Sequence, residues 1–465
     1  MTELLRELQH VLGGEQAWVV GGAVRDGLLG RPTDDYDIAV AGDPRRHARA
    51  LARALGGSSF PLSEQFGGWR VVGDHTSWHV DLIPLRDGDL KSDLGARDYT
   101  VNAMARPLAG GEIVDLFGGR RDLDAGVLRM VSAQALRDDP VRTLRGIRFA
   151  HELGMSLEAQ TARALRAQAS GLERVAGERV FAELVRIVAG AEPVRGLLLL
   201  EEHGVAEWVL PELTAMRGVE QNVFHLLDVH DHTLAVLEEV VRLQTAPGSG
   251  PLGRHGAEVV TLLAEPLADG LSRGDAMRFA ALLHDVAKPQ TRAVRDDGRV
   301  TFFDHDVKGA ELAASVLRRL RTSEKLVSYV ASLTRHHLRL GYMVHEGPLT
   351  RRAAWRYMQL TAPYAAETTI LTVADRLATR GRNSEQAIAA HLDLAEEMLD
   401  LVLARRAVAE PPPLVRGDQL ARELGIEPGP TLGRLLAQLA EDVYAGDITS
   451  PEQALRRARQ LLSRA

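Results

Sequence analysis

The sequence predicts an α/β N-terminal domain, a mixed sheet with helices, followed by a mostly α-helical remainder. Three observations predict it. Short apolar runs, Val19-Val20 and Ile38-Ala39-Val40, flank a Gly21-Gly22 turn and a Pro32 turn, and a further strand-like run, Trp78-His79-Val80-Asp81-Leu82-Ile83, follows. Later in the chain, apolar residues recur at helical spacing, as in Val180, Leu184, Ile187 and Val188. Segments rich in Pro, Gly and Ser at 245–254 and 409–413 read as a loop and a stiff polyproline linker. At 465 residues the chain exceeds a single core and divides into 1–136, 137–210, 211–385 and 386–465.

Composition narrows the setting. There are no cysteines, so disulfides and thiolate metal sites are excluded. The N-terminal segment reads as an amphipathic helix rather than a signal peptide, and no apolar run is long enough to span a bilayer. A cytoplasmic protein with no membrane partner is expected, and the oligomeric state is left open. The net charge of −7 does not advertise a nucleic-acid partner, although charge segregation leaves room for a local basic face.

In order, the first domain opens with strand Val19-Val20, the Gly-Gly turn, a short helix over 23–29, and a strand bearing Asp35-Tyr36-Asp37. Strand residues i and i+2 share a face, so Asp35 and Asp37 stand side by side. Two such carboxylates repel unless a cation lies between them, and Mg²⁺ carried by a triphosphate is the natural guest. Gly21 and Gly22 let backbone amides approach phosphate oxygens, and Arg25 adds positive charge. A bare D-x-D is most often a solvated turn or cap. Coupled to G-G-x-V-R-D it reads as a nucleotidyl-transfer site. Asp81 is either a third metal-facing acid on a neighbouring strand or a strand-edge charge.

Four segments then carry a resemblance: Gly21-Gly22-Ala23-Val24-Arg25-Asp26, Asp35-Tyr36-Asp37, Ala96-Arg97-Asp98-Tyr99-Thr100-Val101-Asn102-Ala103, and Asp115-Leu116-Phe117-Gly118-Gly119-Arg120-Arg121-Asp122-Leu123. The series resembles the class II tRNA nucleotidyltransferase and bacterial poly(A) polymerase family, with Ala96 where the family carries a first Arg. The resemblance implies a head over 1–136 in which Asp35 and Asp37 hold Mg²⁺ and Asp81 is the third acid. It places Gly21, Gly22 and Arg25 at the triphosphate, and Arg97, Asp98 and Asn102 along the nucleotide.

The neck, 137–210, opens with Asp138-Asp139-Pro140-Val141-Arg142. By spacing alone, Asp139 and Arg142 read as a surface ion pair at a helix N-terminus. The resemblance instead makes them the pair that reads the incoming base, with Arg145 and Arg148 among the nucleotide-binding positions of the same helix. Glu178 and Arg179, in a segment similar to the family's E-R-I-x-x-E-L helix, are expected to brace the pocket.

From 211 to 385, His225, Asp228, His230, Asp231 and His232 are followed by His284-Asp285, His305, His336-His337 and Asp375. This series resembles the HD phosphohydrolase superfamily, whose imidazoles and carboxylates hold a divalent transition metal such as Mn, Ni, Co or Fe. The resemblance implies a first site of His232, His284, Asp285 and Asp375, and a second of His305 with His336 or His337. Adjacent His284 and Asp285 face apart on a regular helix, so a shared metal needs a helix end, which Lys288-Pro289 supplies. The tail, 386–465, resembles the tRNA-holding segment of CCA-adding enzymes.

The reading is therefore a tRNA 3′-end nucleotidyltransferase using CTP, and ATP in the fuller case, joined to an HD phosphohydrolase acting on RNA ends. Full CCA-adding relatives usually carry a long flexible loop after the third-acid strand. Here only the eight residues 85–92 separate Pro84 from Asp93. CC addition is the expectation. A full CCA-adding enzyme, a poly(A) polymerase, and an RNA-binding protein with only its HD site active are the alternatives.

Overall fold

Strand alternation builds the N-terminal sheet and, in the same stroke, aims its acidic residues. The protein, seen here as a computed structural model, is described over residues 3–63, 67–73, 78–222, 225–245, 250–381, 384–408 and 412–463. The expected loop at 245–254 and linker at 409–413 lie partly outside these residues. The chain forms two compact units, Met1–Val209 and Leu210–Ala465.

In the first unit, β1 (Ala17–Val20), β2 (Asp35–Val40), β3 (Gly57–Ser63), β4 (Gly68–Gly73), β5 (His79–Pro84), β6 (Met104–Pro107) and β7 (Val114–Asp115) make one seven-stranded sheet in the order β3-β4-β5-β2-β1-β6-β7. The β2–β5 pair is parallel and the others are antiparallel, so the sheet is mixed as expected. Tyr36, Ile38 and Val40 share a core with Val80 and Leu82. Helices Glu3–Leu12 and Pro44–Leu55 cover it through Leu8, Leu12, Ala48 and Leu51. Each of these leucines contributes about 1.5–3 kcal/mol by leaving water. Ala39 points the other way, toward Val20, Leu94 and Ala103. The two-residue period puts Asp35 and Asp37 on Ala39's face. The short helix observed, Gly22–Leu28, begins one residue before the expected one.

Behind the sheet, helices Val141–Leu153 and Gly177–Val188 pack together, and Val180, Leu184, Ile187 and Val188 form the expected buried stripe. A contact made without a side chain locks the first of these helices to the segment that leads into β6. Gly146 faces Tyr99, whose buried hydroxyl donates to the Arg142 carbonyl at 2.7 Å. A Cβ at Gly146 would lie 2.0 Å from the Tyr99 hydroxyl oxygen.

The second unit is helical. Val229–Thr245, Arg273–Leu283, His305–Arg319, Glu324–His336 and Ala365–Ala378 pack around one another. Helix Arg273–Leu283 starts with a reciprocal Ser272–Asp275 cap and stops at His284, and a separate turn of helix, Lys288–Thr291, follows. Helices Gly417–Leu424, Pro430–Ala445 and Pro451–Leu462 enclose a core of their own around Leu420, Leu435 and Ala458. Among the described residues, no helix is long and apolar enough to cross a membrane.

Gly146→Ala is expected to destabilise the first unit by about 1–3 kcal/mol, because Tyr99 has no free space to enter. The thermal unfolding of that unit should fall by about 2–4 °C per kcal/mol. Gly433→Ala, in a helix where the added Cβ meets nothing within 4 Å, should leave stability unchanged or raised.

Candidate functional site

A cavity of about 490 Å³ in the first unit opens where β1, β2 and the Val141–Leu153 helix converge. Gly21, Gly22, Arg25, Asp35, Asp37, Arg97, Asp98, Asn102, Arg145 and Arg148 line it, which gathers most of the residues singled out in the sequence. Gly21 has a φ of 74°, and a Cβ there would come within 2.8 Å of Arg97 Nη1 and 3.3 Å of Asp37 Oδ2. Glycine therefore serves both the turn and the approach of Arg97 to Asp37. Arg25 donates to Asn102 Oδ1 at 2.7 Å and to Asp26 at 2.9 Å, and Asn102 in turn donates to Asp98 at 3.0 Å. This chain of bonds fixes the Arg25 guanidinium at the cavity wall.

The carboxylates are placed by sheet register. Asp37 pairs with Asp81 and Asp35 with His79 across the parallel β2–β5 ladder. His79 Nε2 lies 2.9 Å from Asp35 Oδ1. Asp81 does stand on the neighbouring strand, but Arg70 holds both its oxygens at 2.7 Å and it is not among the cavity-lining residues. Enclosure pushes the Asp37 carboxyl from its ordinary value up to about 6, Asp35 and Asp81 add to the rise, and Arg97 opposes it. A buried acid crowded by two others fits a hard divalent cation, which would relieve the repulsion.

Asp139 and Arg142 are not paired with each other. Asp139 ends helix Ala133–Asp138 and accepts from Arg179 at 2.7 Å. Arg142 donates to the carbonyls of Ala96 and Ala135 at 2.8 and 3.1 Å. The ion-pair reading from spacing alone is thus corrected: Pro140 turns the chain between the two helices and gives each side chain a different partner. Both lie outside the 490 Å³ cavity; Arg142 lines an adjoining one of about 650 Å³ that shares Arg97, Asp98 and Arg145 with it. Arg145 and Arg148 are both held by Glu183, at 2.8 and 2.6 Å. Glu183 was assigned no role from the sequence. Its place in the Glu178–Glu183 segment was the available signal.

The second unit contains a denser constellation. His232, His284 and Asp375 form one group of ligand atoms, and Asp285, His305 and His337 form another. Asp285 joins the two. Its Oδ2 lies 3.1 Å from His284 Nε2 and 3.7 Å from His232 Nε2, while its Oδ1 lies 3.5 and 3.7 Å from Nε2 of His305 and His337. Asp375 reaches His232 at 3.1 Å. Behind the rings, Nδ1 of His284, His305 and His337 sits 2.8, 2.6 and 2.7 Å from the carbonyls of Ala281, Phe302 and Thr334. A carbonyl only accepts, so Nδ1 carries the proton and Nε2 points inward as a lone pair. Nε2 of His232, His284 and His305 is buried without a hydrogen bond. Such an orphaned, convergent donor set fits a borderline transition metal.

Two sequence expectations change here. Asp285 belongs between the sites rather than to the first alone, because helix Arg273–Leu283 ends at His284 and frees the next residue to turn inward. His337, not His336, completes the second group; successive helical residues diverge by about 100°, and only His337 faces Asp285. Lys288 is an addition, with its ammonium 2.6 Å from Asp285 Oδ2. Burial alone would raise Asp285, but Lys288 and a protonated His284, itself raised by Asp285 against its burial, outweigh it and hold the carboxyl well below the usual range; a metal would displace that His284 proton. Burial and neighbouring His284 lower His337 to about 4. Ionised acid and neutral imidazole are the ligand-ready forms. The Asp228–His230–Asp231 group is a helix start instead: Asp228 accepts from the Asp231 amide at 2.8 Å.

Asp37 gives a pH signature. Its folded pKa of about 6 exceeds the ordinary 3.8, so the native state binds more protons between these values. Without divalent cation, stability should fall as pH rises through about 6, and Asp37→Asn should flatten that fall. Added Mg²⁺ should raise the unfolding temperature more at pH 7 than at pH 5, as read by thermal shift. In the second unit, Asp285→Asn should lower transition-metal affinity by more than about tenfold at both groups, as measured by elemental analysis after dialysis.

Residues 17–129 match the poly A polymerase head domain, 154–217 the probable RNA and SrmB-binding site of polymerase A, and 254–380 the HD domain. The chain is 37% identical to the A-adding tRNA nucleotidyltransferase of Deinococcus radiodurans, over 94% of this chain and 94% of that one. It is 36% identical to the CC-adding tRNA nucleotidyltransferase of Thermus thermophilus, over 95% of this chain and 92% of that one. In fold it resembles a CCA-adding enzyme solved with CTP, with a TM-score of 0.64 at 23% identity, over 99% of this chain and 96% of the other. The chain belongs to the class II tRNA nucleotidyltransferases and carries an HD domain in its second unit.

Proposed function

We propose that the head cavity adds C residues to tRNA 3′ ends from CTP and stops after two. The observation that carries CC specificity is the connection after β5. Residues 85–92 fold directly into a 3₁₀ turn, Arg86–Gly88, and the start of helix Leu90–Gly95, which leaves no length for a switching loop. A second reading, A addition, draws on the name of the Deinococcus radiodurans relative.

In the proposed reaction the tRNA 3′-oxygen attacks the α-phosphorus of CTP, the α–β bridge bond breaks, and pyrophosphate leaves. Mg²⁺, held by Asp35 and Asp37 with Asp81 behind them, would lower the hydroxyl's pKa and steady the leaving group. Arg25, fixed by Asn102 and Asp26, offers its guanidinium to the triphosphate beside the Gly21-Gly22 amides. Arg97 and Arg145 line both adjoining cavities and so stand between the phosphate-facing and base-facing spaces. Asp139 and Arg142 are the proposed base readers, with Arg179 bracing Asp139. Arg148 stacks on Phe149 with 4.2 Å to the ring centroid and acts as a further wall.

In the second unit we propose a phosphohydrolase of RNA ends using Mn, Ni, Co or Fe held by the His/Asp centre. Water attacks phosphorus, the bond to the RNA oxygen breaks, and a proton ends on the released hydroxyl. The remaining proposals are a head, neck, HD and tail division near 136, 210 and 385, tRNA contact by the tail, and a cytoplasmic setting.

The test is product analysis on a tRNA transcript lacking CCA, supplied with CTP and ATP. Two added C residues and no A are expected. Efficient conversion of tRNA-CC to tRNA-CCA would overturn CC specificity, and A addition without C addition would establish the second reading. Asp35→Ala or Asp37→Ala should lower incorporation by about a thousandfold or more, since a methyl group cannot hold a cation, while hydrolysis in the second unit persists. Asp139→Ala should admit UTP or GTP, because an acceptor for the cytosine amino group is lost.

A further inference from the structure

The His/Asp centre opens into a cavity of about 830 Å³, far more than a phosphate monoester needs. Two large rings at its walls are exposed instead of packed: Phe303 is 64% and Tyr342 57% accessible. They come from different elements, Phe303 from the turn before helix His305–Arg319 and Tyr342 from helix Arg339–Met343. Neither ring contributes to the buried core. Positive charge accompanies them. The Arg295 guanidinium lies 5.2 Å from the Phe303 centroid, Arg376 lines the same cavity, and Lys288 sits at its floor beside Asp285.

We propose that Phe303 and Tyr342 are the specificity residues of this site, stacking the terminal nucleobases of a single-stranded RNA whose end phosphate reaches the His/Asp centre. The inference rests on the phosphohydrolase reading above and names how that site selects its substrate. Flat exposed rings interleaved with guanidinium groups suit bases alternating with phosphates, because every base has a π-face and every link an anion. A phosphopeptide has the anion but offers no series of aromatic faces. A small phosphomonoester would engage the metal and Lys288 and leave both rings in water.

The experiment compares three substrates with the full-length Mn²⁺-loaded enzyme: a short oligoribonucleotide with a 3′-phosphate, the ring-free monoester β-glycerophosphate, and a phosphoserine peptide. Phe303→Ala with Tyr342→Ala should lower kcat/KM on the oligoribonucleotide about tenfold or more, through KM, and leave β-glycerophosphate unchanged. Phe303→Tyr with Tyr342→Phe, which keeps both rings, should restore the oligoribonucleotide rate. An unchanged ratio between the two substrates in the alanine variant would overturn the inference and leave the hydrolase standing. So would equal loss on both, or a peptide hydrolysed as well as the RNA. A wild-type enzyme inactive on all three would remove the hydrolase reading and this inference together.

Discussion

Like-charge crowding at Asp37 is the constraint on which the head depends. Its carboxyl is enclosed, stands in register with Asp81 and shares a face with Asp35, and its pKa rises to about 6 in consequence. Strand geometry imposes this arrangement: the period that buries Tyr36, Ile38 and Val40 cannot do so without turning Asp35 and Asp37 together to the other face. Around this liability the fold places partial answers. Arg97 approaches over a glycine, Arg70 clasps Asp81, and His79 contacts Asp35. Arg97 is itself held by Asp93 at 3.2 Å, and Arg70 is taken up by both oxygens of Asp81. Under the proposed reading, a dication brought by the nucleotide would complete the set.

The HD centre solves a related problem with different chemistry. One buried carboxylate, Asp285, stands among four imidazoles and an ammonium, so nitrogen ligands and a single fixed cation surround the acid. Imidazole nitrogens suit a softer, borderline metal, where carboxylate oxygens suit a hard one such as Mg²⁺. Backbone carbonyls set the imidazole tautomers, and helix ends set their positions. The end of one helix at His284 and the start of helix His305–Arg319 bring two of the ligands inward.

Local pattern made much of this legible. The Gly-Gly turn and the alternation through Asp35-Tyr36-Asp37 are written within a few residues of where they act. The helix stop expected at Lys288-Pro289 falls instead at His284, and Lys288-Pro289 opens the next short helix. Long-range partners were not legible. Glu183 clamps Arg145 and Arg148 from a helix more than thirty positions away. Arg179 takes Asp139, which spacing had offered to Arg142, and Arg142 turns to backbone carbonyls that no side-chain pattern reveals. Asp81 was placed on the correct neighbouring strand, yet its clasp by Arg70 depends on the antiparallel β4–β5 register. The choice of His337 over His336 turns on helical phase, which adjacent identical residues cannot disclose by type.

The most direct measurement is anomalous diffraction from crystals of the protein grown with Mn²⁺ and a non-hydrolysable CTP analogue. A peak about 2.1 Å from oxygens of both Asp35 and Asp37, touching the triphosphate, is the expected result. Bound nucleotide in the cavity with no peak at these two carboxylates would contradict the account, because their mutual repulsion would then be relieved by something other than a cation.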